Sequence, residues 1–185
     1  MIIAIKRDDG VTFGISNKTA CCDMSVGDYT HTDNLTVWKV KGNSGCYAAA
    51  ELDFSSQLIR AYARSLSKVQ GPNDITGKVI PEIKDMLGDF GLMEAKGVWS
   101  NEMMIVKDGR LYFITVHFVL EEVDDFAVVG RNSSVHKGVL EATKGRPAEE
   151  RILEAYRFME KARGRNYFPV VLFDTKTGRK KVVTK

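Results

Sequence analysis

The sequence predicts an α+β fold built as a four-layer αββα sandwich, with two antiparallel sheets face to face and helices packed outside each. Three observations lead there. Alternating strand-like runs come in hairpin pairs, helical-period segments fall in two blocks at 50–90 and 132–163, and strands and helices alternate by block. Alternation by block argues against a doubly wound parallel sheet, and two facing sheets covered on both sides satisfy every amphipathic face.

The first hairpin places Ile3 and Ile5 before the turn Asp8-Asp9-Gly10, and Val11, Phe13 and Ile15 after it. Thr36 to Val40 and Gly45 to Ala49 form a second pair around Gly42-Asn43-Ser44. Leu52, Ile59, Ala63, Leu66 and Val69 then follow helical spacing, which predicts a long helix over 50–68. After Gly71-Pro72, the residues Ile75, Val79, Ile83, Met86, Leu87 and Phe90 share a helical face on which Pro81 kinks the helix or starts a new one. Strands return at Glu102 to Val106, Leu111 to Val116 and Phe126 to Val129. A short helix around Val135, Val139 and Leu140 follows, then a longer one opening at Pro147 and stopping at Gly164. Phe168 to Phe173 and Lys181 to Thr184 close the chain as a hairpin.

With 185 residues, 44% of them hydrophobic, and no linker, repeat or low-complexity segment, residues 1–185 read as one domain. The longest apolar stretches, such as Phe118 to Leu120 and Pro169 to Phe173, are far short of a membrane span. The start carries no signal-peptide pattern, and a cytoplasmic protein is expected. A net charge of +3 spread along the chain gives no reason to expect nucleic acid or membrane as a partner. The basic cluster Arg179, Lys180, Lys181 and Lys185 reads as the charged face of a terminal strand. Cys21, Cys22 and Cys46 fit neither a disulfide framework nor a metal knuckle. Asp28, His31 and Asp33 read as turn residues, so no metal and no cofactor is expected. A Cys-His pair from Cys21 or Cys22 with His31 or His136 is the weaker alternative to packed cysteines, and His117 reads as a sheet histidine.

Several strings, in this order, resemble the proteasome β-subunit and HslV branch of the N-terminal-nucleophile (Ntn) hydrolases. Ile2-Ile3-Ala4-Ile5-Lys6-Arg7-Asp8-Asp9-Gly10 resembles the family's first strand and turn, and Trp38-Lys39-Val40 the stretch carrying its lysine. Val128-Val129-Gly130 resembles the Gly-rich segment before the third helix, and Arg146 to Ala162 the fourth helix. Such enzymes attack with a residue-one hydroxyl or thiol, and the adjacent α-amine serves as base. Met1 stands there instead, and its thioether has no proton to lose.

The resemblance places Asn17, or Ser16 with a one-residue shift, where the family has an aspartate. It places Lys39 at the lysine, Arg131 where a serine is expected beside the Gly-rich turn, and Gly45-Cys46-Tyr47-Ala48-Ala49 at the oxyanion-binding turn. Met1, Asn17, Lys39 and Arg131 are therefore the candidates for a vestigial site, and Lys39 with Arg131 for an anion-binding one. The resemblance implies a subunit without peptidase activity, acting as a homo-oligomeric scaffold or binding module with a ring as the specific form. It names no partner ATPase. The alternative is an active hydrolase, a threonine-type peptidase or an amidohydrolase, whose nucleophile is exposed by processing.

Overall fold

A computed structural model describes residues 1–16, 37–51, 54–94, 97–99, 101–130, 133–164 and 166–185. The opening hairpin is β1 (Ile2–Arg7) and β2 (Gly10–Ser16), paired from Ile2 against Ile15 to Arg7 against Gly10. With β10 (Phe126–Val129), β11 (Val170–Asp174) and β12 (Lys180–Val183) it forms an antiparallel sheet ordered β10-β1-β2-β11-β12. A second antiparallel sheet joins β3 (Val37–Lys39), β4 (Cys46–Ala50), β7 (Met103–Lys107), β8 (Arg110–Ile114) and β9 (Leu120–Val123), in the order β3-β4-β7-β8-β9. A two-stranded ribbon of β5 (Met93–Glu94) and β6 (Val98–Trp99) lies apart from both.

Strand periodicity sorts the apolar residues into layers. Along β1, Ile2 and Ala4 face the inter-sheet core with Phe13, Ala49, Met104, Phe113 and Val129. Met1, Ile3 and Ile5 point the other way and pack with Leu140, Ile152, Ala155 and Tyr156. These last four come from α4 (Ser133–Ala142) and α5 (Ala148–Arg163). The outer face of the second sheet is covered through Ile59, Leu66, Ile75, Val79, Ile83 and Leu87. Two sheets between two helical layers is the architecture that the block pattern predicts.

Three elements depart from the sequence expectation, each for a local reason. The helix predicted over 50–68 is α1 (Phe54–Tyr62) followed by a 3₁₀ segment, Arg64–Lys68. The Glu82 carboxylate accepts from the backbone N–H of Arg64 at 3.0 Å and of Ser65 at 2.9 Å, holding the new turn open at its start. Pro81 begins a new helix, lying in the first turn of α3 (Ile80–Asp89), but α2 (Pro72–Asp74) reaches it through a wide π turn, Ile75–Val79, rather than through a break. A widened turn makes room for a ring that would otherwise press on the carbonyl four residues back. β9 carries Glu121 and Glu122 on an edge and so lacks the apolar alternation that marks an inner strand.

The terminal basic residues take the expected surface role, with Lys181 paired to Glu149 at 2.8 Å and Lys185 to Glu160 at 2.9 Å. His117 is corrected from sheet to exposed turn, because β8 ends at Ile114 and the chain reverses through Thr115 and Phe118.

At the turn end of the sandwich, the β7–β8 hairpin reverses through Asp108 (φ 49°) and Gly109 (φ 79°), the two positive φ values that a type I′ turn needs. Lys107 beside it is buried, and its amine donates to Asn43 Oδ1 at 3.2 Å and Ser44 O at 3.1 Å while pairing with Asp108 at 3.0 Å. Gly109 also meets the opposite sheet, since a Cβ there would lie 3.7 Å from Gly10 Cα.

Helix α5 rides so close over β2 that a Cβ on Gly14 would overlap Ile152 Cγ2 and touch Tyr156 Cε2 at 3.4 Å. Gly14→Ala is expected to lower stability by about 1–3 kcal/mol as the helix is pushed off the sheet. Urea unfolding measures it, and an unchanged midpoint would refute the close approach.

Candidate functional site

Register brings four chain segments to the start of β1. Ile2 opposes Ile15 on one side and Val129 on the other, so Met1 falls beside Ser16 and Gly130. In the second sheet Ala50 opposes Met103, so the next residues out, Glu51 and Glu102, sit side by side at the same end.

Met1 is 7% exposed, and its α-ammonium lies 3.5 Å from Glu51 Oε1. A buried charge without a partner is costly, and this carboxylate supplies one. Gly130 closes the arrangement with φ +115°, a backbone conformation that side-chain-bearing residues rarely adopt. A Cβ on it would overlap the Glu51 carboxylate and stand 3.2 Å from Met1 Cα. Burial, first of all, pushes the Glu102 carboxyl above its ordinary range; Glu51 and Glu121 add to that, while Lys137 and the Gly130 N–H oppose it.

Beneath Met1, the Tyr156 hydroxyl donates to Met1 O at 3.2 Å and to Gly14 O at 3.0 Å, one proton shared between two carbonyls. Complete burial drives its ionisation far upward, which keeps it a neutral donor. His136 is fully buried, edge-on to Tyr156 with ring centroids 5.9 Å apart and to Tyr167 at 6.4 Å.

Of the residues singled out from sequence, Met1 is in this site. Lys39 is not: it is exposed on β3, opposite Tyr47. Tyr47 lies four positions before Glu51 along the line of β4, roughly 13 Å at strand rise. At the depth of Met1, β3 presents Val37 instead, opposite Ala49 and buried with Ile2 and Val129. Lys39 belongs to a shallow cleft at the β3–β4 turn with Lys41, Asn43 and Ser44.

Asn17 and Arg131 lie outside the described residues, as do Cys21, Cys22, Asp28, His31 and Asp33. Ser16, the alternative to Asn17, is buried, and its hydroxyl donates to Tyr167 O at 2.7 Å. The stretch Gly45-Cys46-Tyr47-Ala48-Ala49 is also corrected, because Cys46–Ala50 is a fully buried inner strand, and the strand-to-helix passage near Met1 begins only at Glu51. Burial pushes the Cys46 thiol up to about 11, the behaviour of a packed side chain rather than a nucleophile.

Sequence reasoning missed Glu51 and Glu102. The available signal was a carboxylate directly after the apolar run 46–50 and another directly before the run 103–106, both where a strand meets a charged neighbour. Among the described residues no group of His, Cys, Asp and Glu is arranged to hold a metal. No described helix is long and apolar enough to cross a membrane.

No protein-family model matches the chain, and no curated protein matches it by sequence. Solved structures match it in shape. BPH from Thiobacillus denitrificans, in complex with epoxomicin, is 12% identical with a TM-score of 0.68 over 100% of this chain and 98% of that one. Anbu (ancestral beta-subunit) from Yersinia bercovieri is 12% identical with a TM-score of 0.68, over 100% of this chain and 87% of that one. The Gly-1 mutant of Anbu from Hyphomicrobium sp. strain MC1 is 12% identical with a TM-score of 0.71, over 99% and 86%. At these identities the likeness is one of fold, and the fold is that of the proteasome-like Ntn hydrolases.

Tyr156→Phe leaves the Met1 and Gly14 carbonyls without this donor and is expected to cost about 1–3 kcal/mol. Thermal unfolding checks it. A variant as stable as the parent would show that neither bond contributes.

Proposed function

We propose that this chain is a proteasome- or HslV-like subunit without peptidase activity, a homo-oligomeric scaffold or binding module working in the cytoplasm. The observation that carries this reading is the state of Met1. Its side chain is packed with Ile3, Ile152 and Tyr156, and its α-amine is held as an ammonium against Glu51. Ntn chemistry needs a nucleophilic side chain and an amine with a lone pair to take its proton. A buried thioether beside a paired ammonium offers neither.

The processed-enzyme alternative fares worse on packing. Exposing Thr12 as a new first residue would delete β1, the strand that holds β10 and β2 together. The described hydroxyls near Met1 are also engaged, Ser16 with Tyr167 O and Ser56 with Glu51 O.

Epoxomicin, the compound held by the similar BPH, is a suitable probe. The purified protein is expected to form no covalent adduct with it and to release no fluorophore from peptide amides. Turnover together with stoichiometric labelling, both abolished by one substitution, would overturn the proposal, as would an intact mass showing cleavage before Thr12 or a later Thr, Ser or Cys.

A neighbouring copy would cover exposed apolar side chains such as Tyr62, Phe90, Val119, Phe158 and Val182, although single ones are ordinary on a protein surface. Similarity to a protein described as a beta-subunit points the same way. Light scattering on the untagged protein is expected to give several times 20.7 kDa, the mass of a ring. A concentration-independent value near 20.7 kDa would sink the oligomer.

A further inference from the structure

The turn after β8 carries a residue that its backbone does not favour. The Phe118 N–H donates to Thr115 O at 2.8 Å and the Thr115 N–H to Val119 O at 3.0 Å, so Val116, His117 and Phe118 form the loop of a hairpin into β9. The last position of such a loop is left-handed and ordinarily falls to glycine. Here it is a phenylalanine at φ 60°. A bulky side chain in that conformation is strained, and the strain persists only where surrounding contacts hold it.

Those contacts are made by the ring. His117 and Val119 face solvent on either side, whereas Phe118 is 6% exposed and stacks on the fully buried Trp99 indole, with centroids 5.9 Å apart and planes inclined by 14°. Lys84, an exposed residue of α3, brings its Nζ to 4.9 Å from the centroid of the same ring. Trp99 has anchors of its own. Its backbone N–H donates to Val116 O at 2.9 Å and its ring N–H to Ser55 Oγ at 3.1 Å. The loop is closed by backbone and by Thr115 Oγ1, which accepts from the N–H groups of His117 and Val119 at 3.3 and 3.2 Å. Outward rotation of the Phe118 ring breaks none of these bonds.

We propose that Phe118 is a built-in plug in a binding slot for a small planar aromatic anion, with Trp99 as the stacking surface and Lys84 as the counter-charge. The chemistry of the slot names its occupant: an indole offers a flat π face, and the ammonium beside it favours a ligand that carries a carboxylate. Phenylalanine meets the first demand and answers the second only through its ring face. Glycine at 118 would close the same turn without strain and leave the slot open, whereas phenylalanine fills it. Entry therefore requires the plug to leave. Trp99 and Phe118 belong to the cluster beneath the helices of the second sheet, apart from the layer that holds Met1, so the slot stands whether or not the chain is a peptidase.

The probe is 2-naphthoate, titrated into the full chain while NMR follows the Trp99 ring N–H, with neutral 2-naphthamide as the control. Phe118→Gly spares the ligand the displacement of the plug and is expected to bind 2-naphthoate about tenfold tighter than the parent. In that background Lys84→Gln is expected to weaken 2-naphthoate about fivefold and to leave 2-naphthamide unaffected. Should Phe118→Gly fold poorly, the parent and its Lys84→Gln variant carry the same comparison of acid with amide. A Trp99 resonance unmoved by 2-naphthoate in the parent would mean a cavity made by the substitution rather than a plugged site, and would overturn the proposal. Equal affinity of parent and Phe118→Gly, or equal losses of acid and amide in Lys84→Gln, would do the same.

Discussion

The constraint on which the rest of the structure depends is that β1 is buried on both faces. Residues Met1 to Ile5 have almost no contact with solvent, lying between the inter-sheet core on one side and α4 and α5 on the other. Hydrocarbon suits such a place and accounts for the run Ile2-Ile3-Ala4-Ile5. A charged α-amine does not suit it, and the neighbouring residues answer that conflict. Glu51 supplies the counter-charge, Gly130 yields the space for it, and Tyr156 accounts for the Met1 carbonyl.

The same scaffold would serve catalysis or binding, and the side chain heading β1 decides between them. The amine sits where a proton acceptor would be useful to a nucleophile, but here it is committed to a carboxylate, and the thioether beside it fills apolar space. Fold and chemistry thus separate cleanly. The first is maintained by alternating apolar positions along the inner strands, the second by a handful of groups at one strand end.

What was legible in the sequence follows the strength of the local signal. The opening hairpin, β10 and α5 sit where alternation, helical period, Pro147 and Gly164 indicate, because each buries a continuous face and ends at a residue with one structural use. The break after α1 was hidden because its cause, Glu82, is far along the chain. Lys39 was assigned on a short string, and a strand of three residues leaves register too loosely defined for that string to fix which position faces Met1. Glu51 and Glu102 were invisible for the opposite reason: each is unremarkable alone, and only the pairing of β4 with β7 makes them neighbours.

The two ends of the sandwich are fastened by different means. At the turn end, Gly10 and Gly109 let the backbones of opposing hairpins touch, and buried Lys107 stiffens the turns around them. That contact is made by backbone, with Lys6, Arg7, Asp9, Asp108 and Arg110 lining the cleft beside it, whereas the far end is joined by the Met1–Glu51 ion pair. Any loosening of the charged end therefore makes the sheets part like the covers of a book, with the glycine contact as the spine. Water would reach Val37, Ala49 and Val129 at the fore-edge before it reached the layers nearer the binding.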